Sequence, residues 1–129
     1  MTPEGDIKKS ICDYLAYRSD LRFWVQESQG TYDPTAGKFR KKKSKYQMNG
    51  ISDIIVLMKY SNLPPFFVGL EVKAKSKQTE SQIAFQKLIQ EIGGLYFVVH
   101  SVEESIESLN HAAKIVGDEI ARLVSNRSK

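Results

Sequence analysis

Apolar positions along this 129-residue chain change their period several times, and each change marks an element. Near the start, Ile7, Ile11, Tyr14 and Leu15 recur at helical spacing. Thr2 before Pro3 supplies an N-cap and a first-turn proline, so a helix is predicted to open at Pro3. Residues 22–28, RFWVQES, read as a strand, with Phe23 and Trp24 expected in the core. Residues 29–37 hold Gly30, Asp33, Pro34 and Gly37 and read as turn or loop. Two continuous apolar runs follow, ISDIIVLM at 51–58 and FFVGLEVK at 66–73. Their length and composition predict buried strands, and YSNLPP between them (60–65) is turn chemistry. Helical spacing returns over 79–92, where Phe85, Leu88, Ile89 and Ile92 share one face. Thr79 and Gln82 can form a capping box at its start, and Gly93-Gly94 a stop at its end. LYFVVH at 95–100 is a further buried strand. Ser101 with Glu104 predicts a capping box opening a helix near 102–110. A last helix is expected over 111–124, on Ala112, Ile115, Val116, Ile120 and Leu123, with His111 at its start.

Strands interleaved with helices in this way predict one α/β domain over 1–129, a mixed central sheet flanked by helices. The hydrophobic fraction of 41% and charged fraction of 26% fit an ordinary globular domain with a real core. No apolar run approaches the ~20 residues of a membrane span, and the start lacks the order of a signal peptide. The single cysteine, Cys12, excludes an intramolecular disulfide, and a cytoplasmic setting is the expectation. Cys12 lies among apolar positions and reads as a structural thiol. One cysteine and two distant histidines do not make a standard zinc site.

Charge changes the picture more than composition does. The net charge is +4, yet residues 38–45, KFRKKKSK, place six cations in eight positions. The rest of the chain carries 13 basic and 15 acidic residues, so the basicity is a local patch on a slightly acidic body. Phosphate is the natural partner for Lys38, Arg40, Lys41, Lys42, Lys43 and Lys45. The alternative is a solvated lysine loop.

Against that background, three charges stand out because they sit within the apolar runs: Asp53 in the first, Glu71 and Lys73 in the second. Positions 53 and 71 are symmetric about residue 62, the middle of the turn. A regular antiparallel hairpin makes them cross-strand neighbours, with Cβ atoms ~5 Å apart. Lys73 shares the face of Glu71, two residues on. Two carboxylates held together call for a hard cation such as Mg²⁺, which can polarise a phosphodiester, while a lysine stabilises developing charge. The alternative is a buried carboxylate–lysine ion pair. Glu4 precedes the stripe of Ile7 and Ile11 by one turn and faces the body, as a site residue or as a complement to the helix dipole. Gln82, one turn before Phe85, is a site residue or simply the N3 partner of the capping box.

Together these residues resemble a stand-alone VRR-NUC domain, within the PD-(D/E)XK nuclease superfamily. The resemblance is carried by TPEGDIKKSICDYL, NGISDIIVLM, LEVKAKSKQTESQIAFQKLIQEIGG and YFVVHSVEES, and covers most of residues 2–107. It implies a restriction-endonuclease-like core and metal-dependent phosphodiester hydrolysis. Glu4, Asp53, Glu71, Lys73 and Gln82 match the family's site positions, with Asp53, Glu71 and Glu4 as ligands of Mg²⁺, or of Mn²⁺ in its place. It further implies a phage or bacterial setting, branched DNA such as a Holliday junction as substrate, a homodimer, and no organic cofactor. Phe85 stands where the family often has Trp, and His100 where Arg is common. His100 reads better as a satisfied strand end than as a base, and Tyr46, a lone aromatic after the lysines, is a weak nucleic-acid signal. Two other functions fit parts of the pattern: a non-catalytic nucleic-acid-binding module, which has no use for buried acids beside phosphate, and an RNA-directed nuclease, since phosphate contacts do not report the sugar.

Overall fold

A computed structural model describes residues 2–26, 30–33, 38–41, 48 and 50–127, with side chains described for 2–26, 48 and 50–127. These residues form α1 (Pro3–Leu15), β1 (Leu21–Val25), β2 (Gly30–Asp33), β3 (Lys38–Lys41), β4 (Ile54–Met58), β5 (Phe66–Val72), α2 (Glu80–Glu91), β6 (Leu95–Val99) and α3 (Val102–Arg127). The main sheet has the order β1-β4-β5-β6. β1–β4 and β4–β5 pair antiparallel, and β5–β6 pair parallel across the α2 connection. The fold is thus a mixed α/β sheet flanked by helices.

Alternation along the strands sorts the sheet into two faces. Leu21, Ile54, Val56, Met58, Val68, Leu70, Val72 and Val99 are buried together with Ile11 and Leu15 of α1 and Leu109 and Ala112 of α3. The other face carries Gly69, Glu71 and Tyr96, and there α2 packs on β6. Phe85 of α2 meets Tyr96 edge to face at 6.1 Å. A Cβ at Gly69 would stand 2.9 Å from Ser52 Oγ and 3.1 Å from the Tyr96 ring, so the missing side chain makes room for both.

The first two predicted helix starts have their caps. Thr2 Oγ1 accepts from the Gly5 N–H at 3.0 Å, and Thr79 with Gln82 forms the reciprocal capping box. Gly93, at φ +88°, ends α2 in the left-handed conformation glycine favours.

Five expectations need correction. Residues 29–37 were expected to be irregular, but Gly30–Asp33 pair with Lys38–Lys41 as a separate two-stranded sheet. Its register sets Tyr32 opposite Phe39 and Asp33 opposite Lys38, and in the sequence Pro34 and Gly37 fall between the two strands. The two C-terminal helices are one 26-residue helix, because Asn110-His111 contains neither Gly nor Pro to break it. His111 therefore starts nothing, and its ring lies edge-on to Phe97 at 6.2 Å. Trp24 is 44% exposed on β1 rather than in the core, since β1 is an edge strand and alternation turns Phe23, not Trp24, inward. Leu88 and Ile92 are exposed instead of packed: Phe85 is the buried residue of α2, and Ile92 lies past its last residue as the C-cap. Finally, β4 opens at Ile54 and β5 closes at Val72, so Asp53 and Lys73 flank the strands instead of lying in them.

Candidate active site

The β4–β5 register sets Ile54 opposite Leu70 and Met58 opposite Phe66, which is symmetry about residue 62. Continued by one step, it brings Asp53 beside Glu71. The Asp53 N–H donates to Glu71 Oε2 at 3.3 Å, and the N–H of Val72, the residue after Glu71, donates to Asp53 Oδ2 at 2.8 Å. The pair stands at the end of the two central strands, not at an edge of the sheet.

Glu71 is 1% exposed, and four groups face its carboxylate. Gln82 Nε2 donates to Oε1, Lys73 Nζ lies 3.8 Å from the same oxygen, and the Tyr96 hydroxyl lies 3.5 Å from Oε2. The Asp53 N–H is the fourth. Burial, then the neighbouring Asp53 charge, pushes the Glu71 carboxyl up to about 7; Lys73 and the Asp53 N–H pull the other way. Burial and the Glu71 charge raise the Tyr96 phenol in turn. Lys73 is also buried, and its backbone N–H bonds the Val99 carbonyl at 3.0 Å, so the β5–β6 ladder fixes where its side chain begins.

Gln82 makes two side-chain bonds, one to the helix cap and one to Glu71. Its Oε1 accepts from the Thr79 N–H at 2.8 Å, completing the helix cap, while its Nε2 bonds Glu71. One rigid amide therefore ties the start of α2 to the buried carboxylate. Gly50 makes the approach possible. Its φ is +78°, and a Cβ there would overlap the Ser81 carbonyl and the Gln82 N–H.

Glu4 arrives from the opposite side of the sheet. It lines a cavity of about 130 Å³ with Thr2, Gly5, Lys8, Asp53 and Val72. Ser76 Oγ donates to Glu4 Oε1 at 2.6 Å, and this bond is the main reason its carboxyl lies below the ordinary value, with the Ala74 backbone and the charges of Lys73 and Lys8 adding to it. The first turns of α1 and α2 thus stand at the same end of the sheet, Glu4 by Asp53 and Gln82 by Glu71.

Among the described residues, no group of three His, Cys, Asp or Glu side chains is drawn together as a metal cage. The donors present are two adjacent carboxylates, Asp53 and Glu71, with Glu4 across the Asp53 cavity. An all-oxygen set of this kind suits a hard cation that keeps several waters.

Lys38, Arg40 and Lys41 are on β3, of which the backbone alone is described, and Lys42, Lys43, Lys45 and Tyr46 lie outside the described residues. The His100 ring bonds Glu104 at 2.9 Å, and its N–H bonds the same carboxylate, which satisfies the strand end. Ser101 Oγ caps the Glu104 N–H at 3.1 Å, so the capping box closes one residue early, on His100. Cys12 is half-buried, and burial raises its thiol pKa, which fits a structural residue. Sequence reasoning missed Tyr96. Its spacing within LYFVV marks it as a strand residue, and only the parallel register beside Gly69 brings its hydroxyl to Glu71. Comparison with known protein families, with curated proteins and with solved structures found no match.

Proposed function

We propose that this chain is a metal-dependent DNA endonuclease with a restriction-endonuclease-like core, acting on branched DNA, as its resemblance to VRR-NUC domains implies. The observation that supports it most is the convergence of Asp53, Glu71, Lys73 and Gln82 on one buried spot. A structural ion pair needs one carboxylate and one cation. Here a second acid, Asp53, stands beside the buried Glu71, and burial first, with the Asp53 charge added to it, raises the Glu71 pKa. A module that only grips phosphate gains nothing from that arrangement.

Asp53 and Glu71 would hold the Mg²⁺, with Glu4 lining the approach. When bound, Mg²⁺ polarises the phosphodiester and lowers the pKa of the attacking water. Lys73 supplies a fixed positive charge beside the reacting phosphate and stabilises negative charge as it grows. Gln82 keeps Glu71 in one orientation, so no reorganisation is needed when the substrate arrives. Phosphate affinity comes from the cations of residues 38–45.

Incubation with a four-way junction and with linear duplex, in Mg²⁺ and in EDTA, tests the reading. Mg²⁺-dependent cuts near the branch are expected. Equal products in EDTA, or no product from any DNA in Mg²⁺ or Mn²⁺, would overturn it.

A further inference from the structure

Trp24 is the chain's one tryptophan and is 44% exposed on the edge strand. It pairs with Ile55, and the same cross-sheet row continues through Gly69 to Tyr96, on the face that carries Glu71. The pairing of β1 with β4 runs on to Gln26, whose N–H bonds the Asp53 carbonyl at 2.9 Å. The indole is therefore one strand repeat, ~7 Å, from the level of the carboxylates. Arg22 is exposed on the same face, one repeat further on. Beyond it, Arg22, Leu57, Lys59, Ser61 and Asn62 line an open cleft of about 590 Å³. Asp20 also borders this cleft, but it is held by Arg18, with Nε–Oδ1 at 2.9 Å.

We propose that this face of β1 is a track for an unpaired DNA strand leading to Asp53 and Glu71, with Trp24 as the platform for a stacked base and Arg22 as a phosphate contact. The ligand's identity rests on the nuclease reading. The track itself rests on the placement of an aromatic face and then a cation in line with the carboxylates. From the level of Asp53 to Arg22 the strand rises about 13 Å, several times the ~3.4 Å of helix axis that each phosphate of one strand occupies in a duplex. A base laid on the indole must have left its stack, which an intact duplex resists and a branch permits. Stacking on an aromatic ring tolerates any base, so the track would select DNA structure and not sequence.

The lone indole is its own reporter. The full chain, in EDTA so that no strand is cut, is titrated with oligo(dT) of about a dozen nucleotides, and binding is followed by anisotropy of a labelled oligonucleotide. Tryptophan emission should be quenched saturably, in step with binding. Trp24→Ala should weaken that binding about tenfold, with Trp24→Phe restoring most of it. Quenching in the native protein needs no variant, so misfolding of Trp24→Ala cannot mimic a result. Binding without quenching, and with Trp24→Ala unchanged, would overturn the track, while Glu71-dependent cleavage in Mg²⁺ would leave the nuclease reading standing. Neither binding nor cleavage would sink both.

Discussion

Burying Glu71 beside Asp53 has an energetic consequence that depends on pH. The Glu71 carboxyl is raised from its ordinary 4.5 to about 7 by burial and by the Asp53 charge. In that window the folded chain holds a proton that the unfolded chain has released. The associated stability is fully present below about pH 4.5 and is lost as pH rises to about 7, by at most about 3 kcal/mol. Urea unfolding in EDTA at pH 5 and pH 8 should therefore show the native protein weakening with pH more than Glu71→Gln does. Parallel behaviour of the two proteins would mean that the Glu71 carboxylate is better solvated than its 1% exposure indicates. The residues of this site were largely legible in the sequence. Asp53, Glu71 and Lys73 broke apolar runs, and the symmetry about residue 62 placed the first two together. Gln82 was legible as a cap and as a candidate site residue; it completes the cap and also bonds Glu71. Tyr96 was not, because a tyrosine in an apolar strand is ordinary and its partner lies 25 residues away.

At the scale of elements, the site depends on how closely the segment before β4 can approach α2. Gly50 sets that distance, through a positive φ and the absence of a Cβ. Gly50→Ala should cost at least ~2 kcal/mol of stability, from left-handed strain and from the overlap with Ser81 and Gln82. It should also slow cleavage under conditions where the variant remains folded, since Gln82 would be moved off Glu71. Unfolding within about 0.5 kcal/mol of the native protein would show that the segment has slack. Elements with punctuation were legible from sequence: Thr2-Pro3, Thr79 with Gln82, and Gly93 mark their boundaries with specific backbone chemistry. Those lacking it were misread. The division of α3 at His111 had no Gly or Pro behind it, and the β2–β3 pairing was hidden among turn residues. Trp24 was misplaced because alternation does not say which strand becomes an edge.

At the scale of the molecule, the reading separates cutting from holding. Replacing Lys41, Lys42 and Lys43 by Ala should weaken DNA binding and flatten its dependence on salt, the slope falling by about 0.9 for each phosphate no longer neutralised. An unchanged slope would mean that these lysines are only a solvated segment. Assembly is a further consequence of the proposed substrate, because a junction offers two related strands and each chain one site. Phe66, Phe67, Ile115, Val116 and Ile120 line a shallow apolar cleft of about 200 Å³, formed where α3 passes β5 and β6. A two-fold pairing through this cleft would present two sites. Sedimentation at micromolar concentration should then give twice 14.7 kDa, and a monomer that cuts both strands in one encounter would contradict the pairing. All of this depends on the carboxylate pair being the centre of a metal-dependent nuclease. The measurement that tests this most directly compares native protein and Glu71→Gln on one labelled junction in Mg²⁺, with binding read in parallel. Cleavage should fall at least ~10²-fold in the variant, while affinity stays within about twofold, because the proposal assigns DNA affinity to the cations of residues 38–45 and not to Glu71. Cleavage by Glu71→Gln at the native rate would contradict the account.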